Sequence, residues 1–179
     1  MILDIDGTMV ATEKIGKGLF ATAYRAGDTV YLLVDGDNSK EALTLFTDQT
    51  LPHIPTCKRH NDIGKFSVFS MPFYRKLTKK EFPEAYAEWT RLPRFVAAGE
   101  VEEWIKNVSL PKTMKAAIEE LINGFTNYDY DGMILEFNKA NVSVGVNGKL
   151  ILRDCVASRE SILKKRAKKI NRWVNQLVY

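Results

Sequence analysis

The stretch that most constrains the fold runs from Lys14 to Tyr24 and reads K-I-G-K-G-L-F-A-T-A-Y. A turn at Ala26-Gly27-Asp28 and an apolar run, Val30 to Val34, come next. This order predicts a β-hairpin whose tip is a glycine-rich flap, with a third strand after the turn. Lacking a Cβ, Gly16 and Gly18 let the backbone approach phosphate oxygens and present N–H donors to them. Phe20 at the tip would cap the flap and exclude water. Lys17 would either offer phosphate a point charge or face solvent. The same residues also suit an ordinary hairpin with glycines at its turns, so the rest of the chain must discriminate.

A chain of 179 residues, 45% apolar and 27% charged, fits a soluble globular protein of one domain or one small two-lobed domain. No apolar run approaches the length needed to cross a bilayer, and no transmembrane segment is expected. No signal peptide is read, because Asp4 and Asp6 interrupt the apolar N-terminus. Cys57 and Cys155 lack metal-ligand spacing and suit buried or free thiols in a reducing cytosol. His53 and His60 have no acid or cysteine at ligand spacing and are read as structural or exposed.

Residues 1–10, M-I-L-D-I-D-G-T-M-V, resemble the first motif of haloacid-dehalogenase-type phosphatases. That resemblance makes Asp4 a nucleophile and Asp6 its acid/base partner. It covers only the first tenth of the chain, and Asp129 and Asp131 near Gly132 make a poor paired-acid strand end. The plainer reading is a short strand and an Asp-Gly turn.

Residues 37–46 read as a short helix capped by Asn38 or Ser39, with Ala42, Leu43 and Phe46 on one face. A second hairpin follows, from Thr56–Arg59 through a turn at 61–64 to Phe66–Phe69, and runs on into Met71–Leu77. The period then becomes helical, with faces at Phe82, Ala85, Tyr86 and Trp89, at Val101, Trp104, Ile105 and Val108, and at Met114, Ile118, Leu121, Ile122 and Phe125. A β-rich first half before helices predicts an α+β protein with two lobes. The expected units are a β-rich N-lobe over 1–77, a mostly helical C-lobe over 78–158 and a basic helix over 159–179.

Residues 133–157 carry the chemistry. Glu136 is followed five positions on by Asn141, then by a hairpin turning at Asn147-Gly148 and a strand ending in Asp154. Phosphoryl transfer is mostly positioning and charge neutralisation, and kinases use an acid, an amide and a second acid so arranged. Oxygen ligands from Asn141 and Asp154 suit Mg²⁺.

With the flap, this pattern resembles the protein-kinase fold. Over about residues 12–157 it is similar to the kinase domain of the early serine/threonine kinase of short-tailed, coliphage-type phages. The resemblance implies ATP and Mg²⁺ as cofactors, Glu136 as catalytic acid, and Asn141 and Asp154 as metal ligands. It places Gly16, Lys17, Gly18 and Phe20 over the phosphates, and Met71 and Phe73 at the adenine edge. It also implies a protein that acts on host proteins in the bacterial cytoplasm and helps turn off host transcription, with RNA polymerase a possible partner.

Three departures point to a truncated, degenerate kinase, a pseudokinase. The third strand carries no lysine, and Leu32 or Leu33 stands where one belongs, which leaves Glu41 without its expected partner. Glu136 replaces an aspartate, and a carboxylate misplaced by roughly 1 Å can cost about a hundredfold in rate. Only about 25 residues follow Asp154, too few for an activation segment and a peptide platform. An active Ser/Thr kinase stays open as the alternative, and any ATP binding is expected to be weak and magnesium-dependent. The tail carries Arg159, Lys164, Lys165, Arg166, Lys168, Lys169 and Arg172 against Glu160 alone, with apolar residues at helical spacing. This basic amphipathic helix suits a solvated face, an acidic host protein, nucleic acid or, less well, a membrane surface.

Overall fold

The computed structural model describes residues 1–36, 39–44, 51–126, 132–160, 163 and 167. Asn38, Phe46, Asp129, Asp131 and nearly all of the expected basic helix lie outside the described residues. The fold is mixed α/β with a sheet-rich N-terminal part.

Strands β1 (Ile2–Ile5) and β2 (Thr8–Ala11) form a hairpin around the two-residue loop Asp6-Gly7. Both loop residues have positive φ, 52° and 85°, as a type I′ turn demands, and glycine takes the more left-handed one without penalty. Leu3 and Ile5 are buried while Ile2 and Asp4 face out, the alternation of a half-covered strand.

A five-stranded sheet follows, in the order β3-β4-β5-β7-β6. Its members are β3 (Glu13–Lys17), β4 (Ala21–Ala26), β5 (Thr29–Val34), β6 (Lys58–Ile63) and β7 (Phe66–Pro72). Helix α1 (Ser39–Thr44) lies between β5 and β6 in sequence. The two hairpins expected from the glycine turns are both present. Pairing between β3 and β4 shifts at Ile15, a bulge at the base of the flap.

The C-terminal part holds α2 (Pro83–Thr90), β8 (Phe95–Ala97), a 3-10 turn over Ala98–Glu100, α3 (Val101–Asn107), α4 (Lys112–Thr126), β9 (Met133–Glu136), β10 (Ser143–Val144), β11 (Leu150–Ile151) and β12 (Val156–Ser158). In α4, Met114, Ala117, Ile118 and Leu121 are buried at the spacing of one helical face. Strand β8 was not expected. It joins β9 and β12 in a three-stranded sheet ordered β12-β9-β8, and β10 pairs with β11. A continuous buried cluster runs from Val30, Val34 and Phe69 through Ile118 and Leu121 to Leu135, Leu150 and Leu152.

Two faces of β5 are buried against different partners. Leu33 packs with Leu3, Ile5 and Val68 under the N-terminal hairpin, while Val30 and Val34 belong to the main core. Leu32 packs against that core and lines the cleft. The missing strand lysine therefore corresponds to position 32, and Leu33 faces away from the cleft.

Candidate functional site

A cavity of about 550 Å³ lies between the sheet and the β9–β12 region. This is the size range of clefts that take nucleotide-sized ligands. Every site residue expected from the sequence lines it: Gly16, Lys17, Gly18 and Phe20 of the flap, Met71 and Phe73 at the end of β7, and Glu136, Asn141 and Asp154. Apolar Ile15, Ala23, Val30, Leu32 and Val156 supply a floor suited to a flat base.

The flap is held by Gly18 N–H donating to Ala21 O at 2.7 Å and Asp35 N–H donating to Phe20 O at 2.8 Å. At the end of β7 one expectation changes. The Phe73 N–H donates to Asp28 O at 2.7 Å, so it is spent within the fold, and Pro72 has no N–H to give. Tyr74, which also lines the cavity, keeps an amide N–H that bonds to no other group among the described residues. Arg75 is tied to Val144 by paired backbone bonds of 2.9 and 2.8 Å, which pins this stretch to β10.

The acidic side is a tight backbone lattice. Glu136 N–H donates to Cys155 O at 2.7 Å, and Asp154 N–H donates to Asn141 O at 2.9 Å. Asn138 folds the intervening loop by accepting the Ala140 and Asn141 N–H groups on its side-chain oxygen, at 2.9 and 3.1 Å. Trp89 Nε1–H holds the loop from outside through Phe137 O at 2.7 Å. Asn141 Nδ2 donates to Glu136 O at 3.1 Å and to Glu136 Oε2 at 3.3 Å. With its side-chain nitrogen so used, the side-chain oxygen Oδ1 of Asn141 accepts no bond among the described residues. It can serve as a hard-cation ligand. The strand before Asp154 is shorter than expected: β11 ends at Ile151, and Asp154 sits in the bend that follows.

Lys40, a residue given no role from the sequence, reaches this cluster. Its side chain is 4% exposed, and its Nζ forms an ion pair with Asp154 Oδ1, whose own side chain is 45% exposed. Lys40 and Leu43 are both buried and stand three residues apart, so they share the inward face of α1. That spacing was the available signal. Arg153 also lines the cavity and donates to Ala140 O. Glu41 has a partner after all, Arg59, at 3.6 Å and half exposed, rather than any lysine of β5.

The phosphatase alternative does not survive. Asp4 and Asp6 sit on an antiparallel hairpin, and every strand pairing among the described residues is antiparallel. Asp4 Oδ1 accepts the Gly7 N–H at 2.9 Å, which closes the turn. Asp6 takes the Asn61 N–H at 2.8 Å and His60 Nδ1 at 2.7 Å, and these two partners hold its carboxyl below the usual carboxylate range. Both acids are hairpin fasteners.

No model of a known protein family matches the chain, and no curated protein matches it. Among solved structures it is similar to a choline/ethanolamine kinase family protein from Mesorhizobium loti, with 13% identity and a TM-score of 0.39. The match covers 82% of this chain and 59% of that one, so the chain spans about three fifths of its length. The likeness is weak. No helix among the described residues is long and apolar enough to cross a membrane.

Proposed function

We propose that this chain is a kinase-like nucleotide-binding protein of degenerate type, a pseudokinase that acts on proteins of a bacterial host by binding them. One observation carries the nucleotide part. A glycine flap, an amide oxygen and two carboxylates, drawn from separate parts of the sequence, line a single cavity with an apolar floor. In this reading Gly16 and Gly18 cover the phosphates, and Asn141 and Asp154 hold Mg²⁺. The Tyr74 amide, rather than that of Phe73, meets the edge of the base. Bound Mg-ATP would bring the transferable phosphoryl group and the counter-charge that offsets it. Glu136, joined to Asn141, would orient an acceptor hydroxyl, with its extra methylene slowing transfer.

The effector part rests on the resemblance to early phage kinases and on the basic composition of the tail. Host RNA polymerase is one candidate partner, in the host cytoplasm. Active Ser/Thr phosphoryl transfer is the second reading, favoured by the Glu136–Asn141 hydrogen bond that orients the acid.

The test is thermal-shift titration with ATP, with and without Mg²⁺, on wild type and Asp154→Ala. Weak binding that strengthens with Mg²⁺, and loses that increment in Asp154→Ala, is expected. Absence of any shift at millimolar ATP defeats the reading, as does submicromolar affinity indifferent to both metal and Asp154. Transfer of labelled phosphate to bacterial lysate proteins, abolished by Glu136→Gln, would decide for the active kinase.

A further inference from the structure

The cleft lacks a lysine where β5 passes it, because Leu32 fills that position. Lys40 brings an ammonium to the same cavity from α1. Its stem is buried, and its head meets Asp154 at the wall, beside the metal-ligand candidates. A buried cation is costly unless paired, and Asp154 pairs it without enclosing it, since that carboxylate remains half exposed to the cleft. A lysine held this way has little rotamer freedom left to lose when an anion arrives. Lys17 lines the cavity too but differs: it is exposed, at the end of β3 beside the flap tip.

We propose that Lys40, carried by α1, supplies the phosphate-contacting cation that β5 does not. This rests on the nucleotide reading above. It makes α1 itself the carrier of the charge, so Glu41 is released to pair outward with Arg59.

Wild-type protein is treated with an acyl-phosphate derivative of ATP. This reagent transfers its acyl group to the amine nearest the phosphates, forming an amide as ATP departs. Peptide mass spectrometry should find the label on Lys40, suppressed by excess ATP. A competable label on Lys17 instead overturns the proposal and leaves the nucleotide reading standing. Calorimetry then compares adenosine and ATP on wild type, Lys40→Met and the double variant Leu32→Lys/Lys40→Met. Loss of a charge-assisted contact should weaken ATP by about tenfold or more in Lys40→Met. Adenosine affinity should hold, and lysine at position 32 should restore part of the loss. Unchanged ATP affinity in Lys40→Met refutes the role of Lys40 alone. No binding of either ligand to wild type refutes the nucleotide reading with it. The labelling arm needs no variant, so a misfolded Lys40→Met cannot obscure the answer.

Discussion

At the scale of single residues, His53 ties three segments together. It is 2% exposed, with Nδ1 on Leu150 O at 2.7 Å and Nε2 on Thr113 Oγ1 at 3.1 Å, and its carbonyl accepts the Leu152 N–H at 2.8 Å. The expectation of a structural histidine is met. Burial disfavours the imidazolium and pulls the His53 pKa below its ordinary 6.5, against the upward pull of the Leu150 carbonyl. The unfolded chain therefore takes up this proton first as pH falls. The contribution of His53 is complete above pH 6.5 and is lost as pH drops from there through the folded value. Urea midpoints at pH 7.5 and 5.5 should fall more for wild type than for His53→Gln, whose absolute stability is lower by about 1–3 kcal/mol. Equal acid sensitivity in the two proteins would assign the effect elsewhere. Both cysteines are buried as well. Burial pushes the Cys57 thiol up to about 11 and that of Cys155 higher still. Neither should react with a thiol reagent at pH 8 until the protein is unfolded. Rapid labelling of the native chain would contradict this.

At the scale of elements, β5 explains both what could be read from the sequence and what could not. Glycine turns at positions 27 and 64, with φ of 57° and 59°, announced the hairpins, and the helical periods announced α2, α3 and α4. Val30 to Val34 has no polar residue to mark an outer face, because the β1–β2 hairpin covers that face. Alternation is therefore hidden, and Leu32 could not be told from Leu33. Lys40 escaped for a related reason. A lysine on a short helix ordinarily reads as solvated, and its partner Asp154 lies 114 positions away. Strand β8, with three residues, is too short to show a period. The hairpin cover gives a prediction of its own. Leu3 is 2% exposed in a cluster separate from the main core. Leu3→Ala should cost about 2–5 kcal/mol through the lost contacts and the cavity left behind. Because that cluster lies on the far side of the sheet from the cleft, nucleotide affinity should stay as it is. A change in ATP affinity matching the stability loss would mean that the two faces are coupled.

At the scale of the whole molecule, the cleft and the tail make separable demands. A continuous buried cluster joins the sheet to the helices, so the cleft walls are held by one core. The tail adds charge of one sign: Lys164, Lys165, Arg166, Lys168 and Lys169 fall within six positions. If the protein works by capturing acidic surfaces, capture should follow that charge and not the transfer chemistry. Reversal to glutamate at Lys164, Lys165, Lys168 and Lys169 should weaken recovery of host partners from bacterial lysate and relieve toxicity on expression. Glu136→Gln, which alters only the acid that would orient an acceptor, should leave capture intact. Salt supplies an independent check, because exposed charges are screened beyond about 8 Å at physiological ionic strength. Recovery by wild type should fall as salt rises, and the charge-reversed protein should show little further dependence. If Glu136→Gln abolishes toxicity while the charge-reversed protein keeps it, the work is phosphoryl transfer and Glu136 is a functioning acid. The active-kinase reading would then replace the binding one.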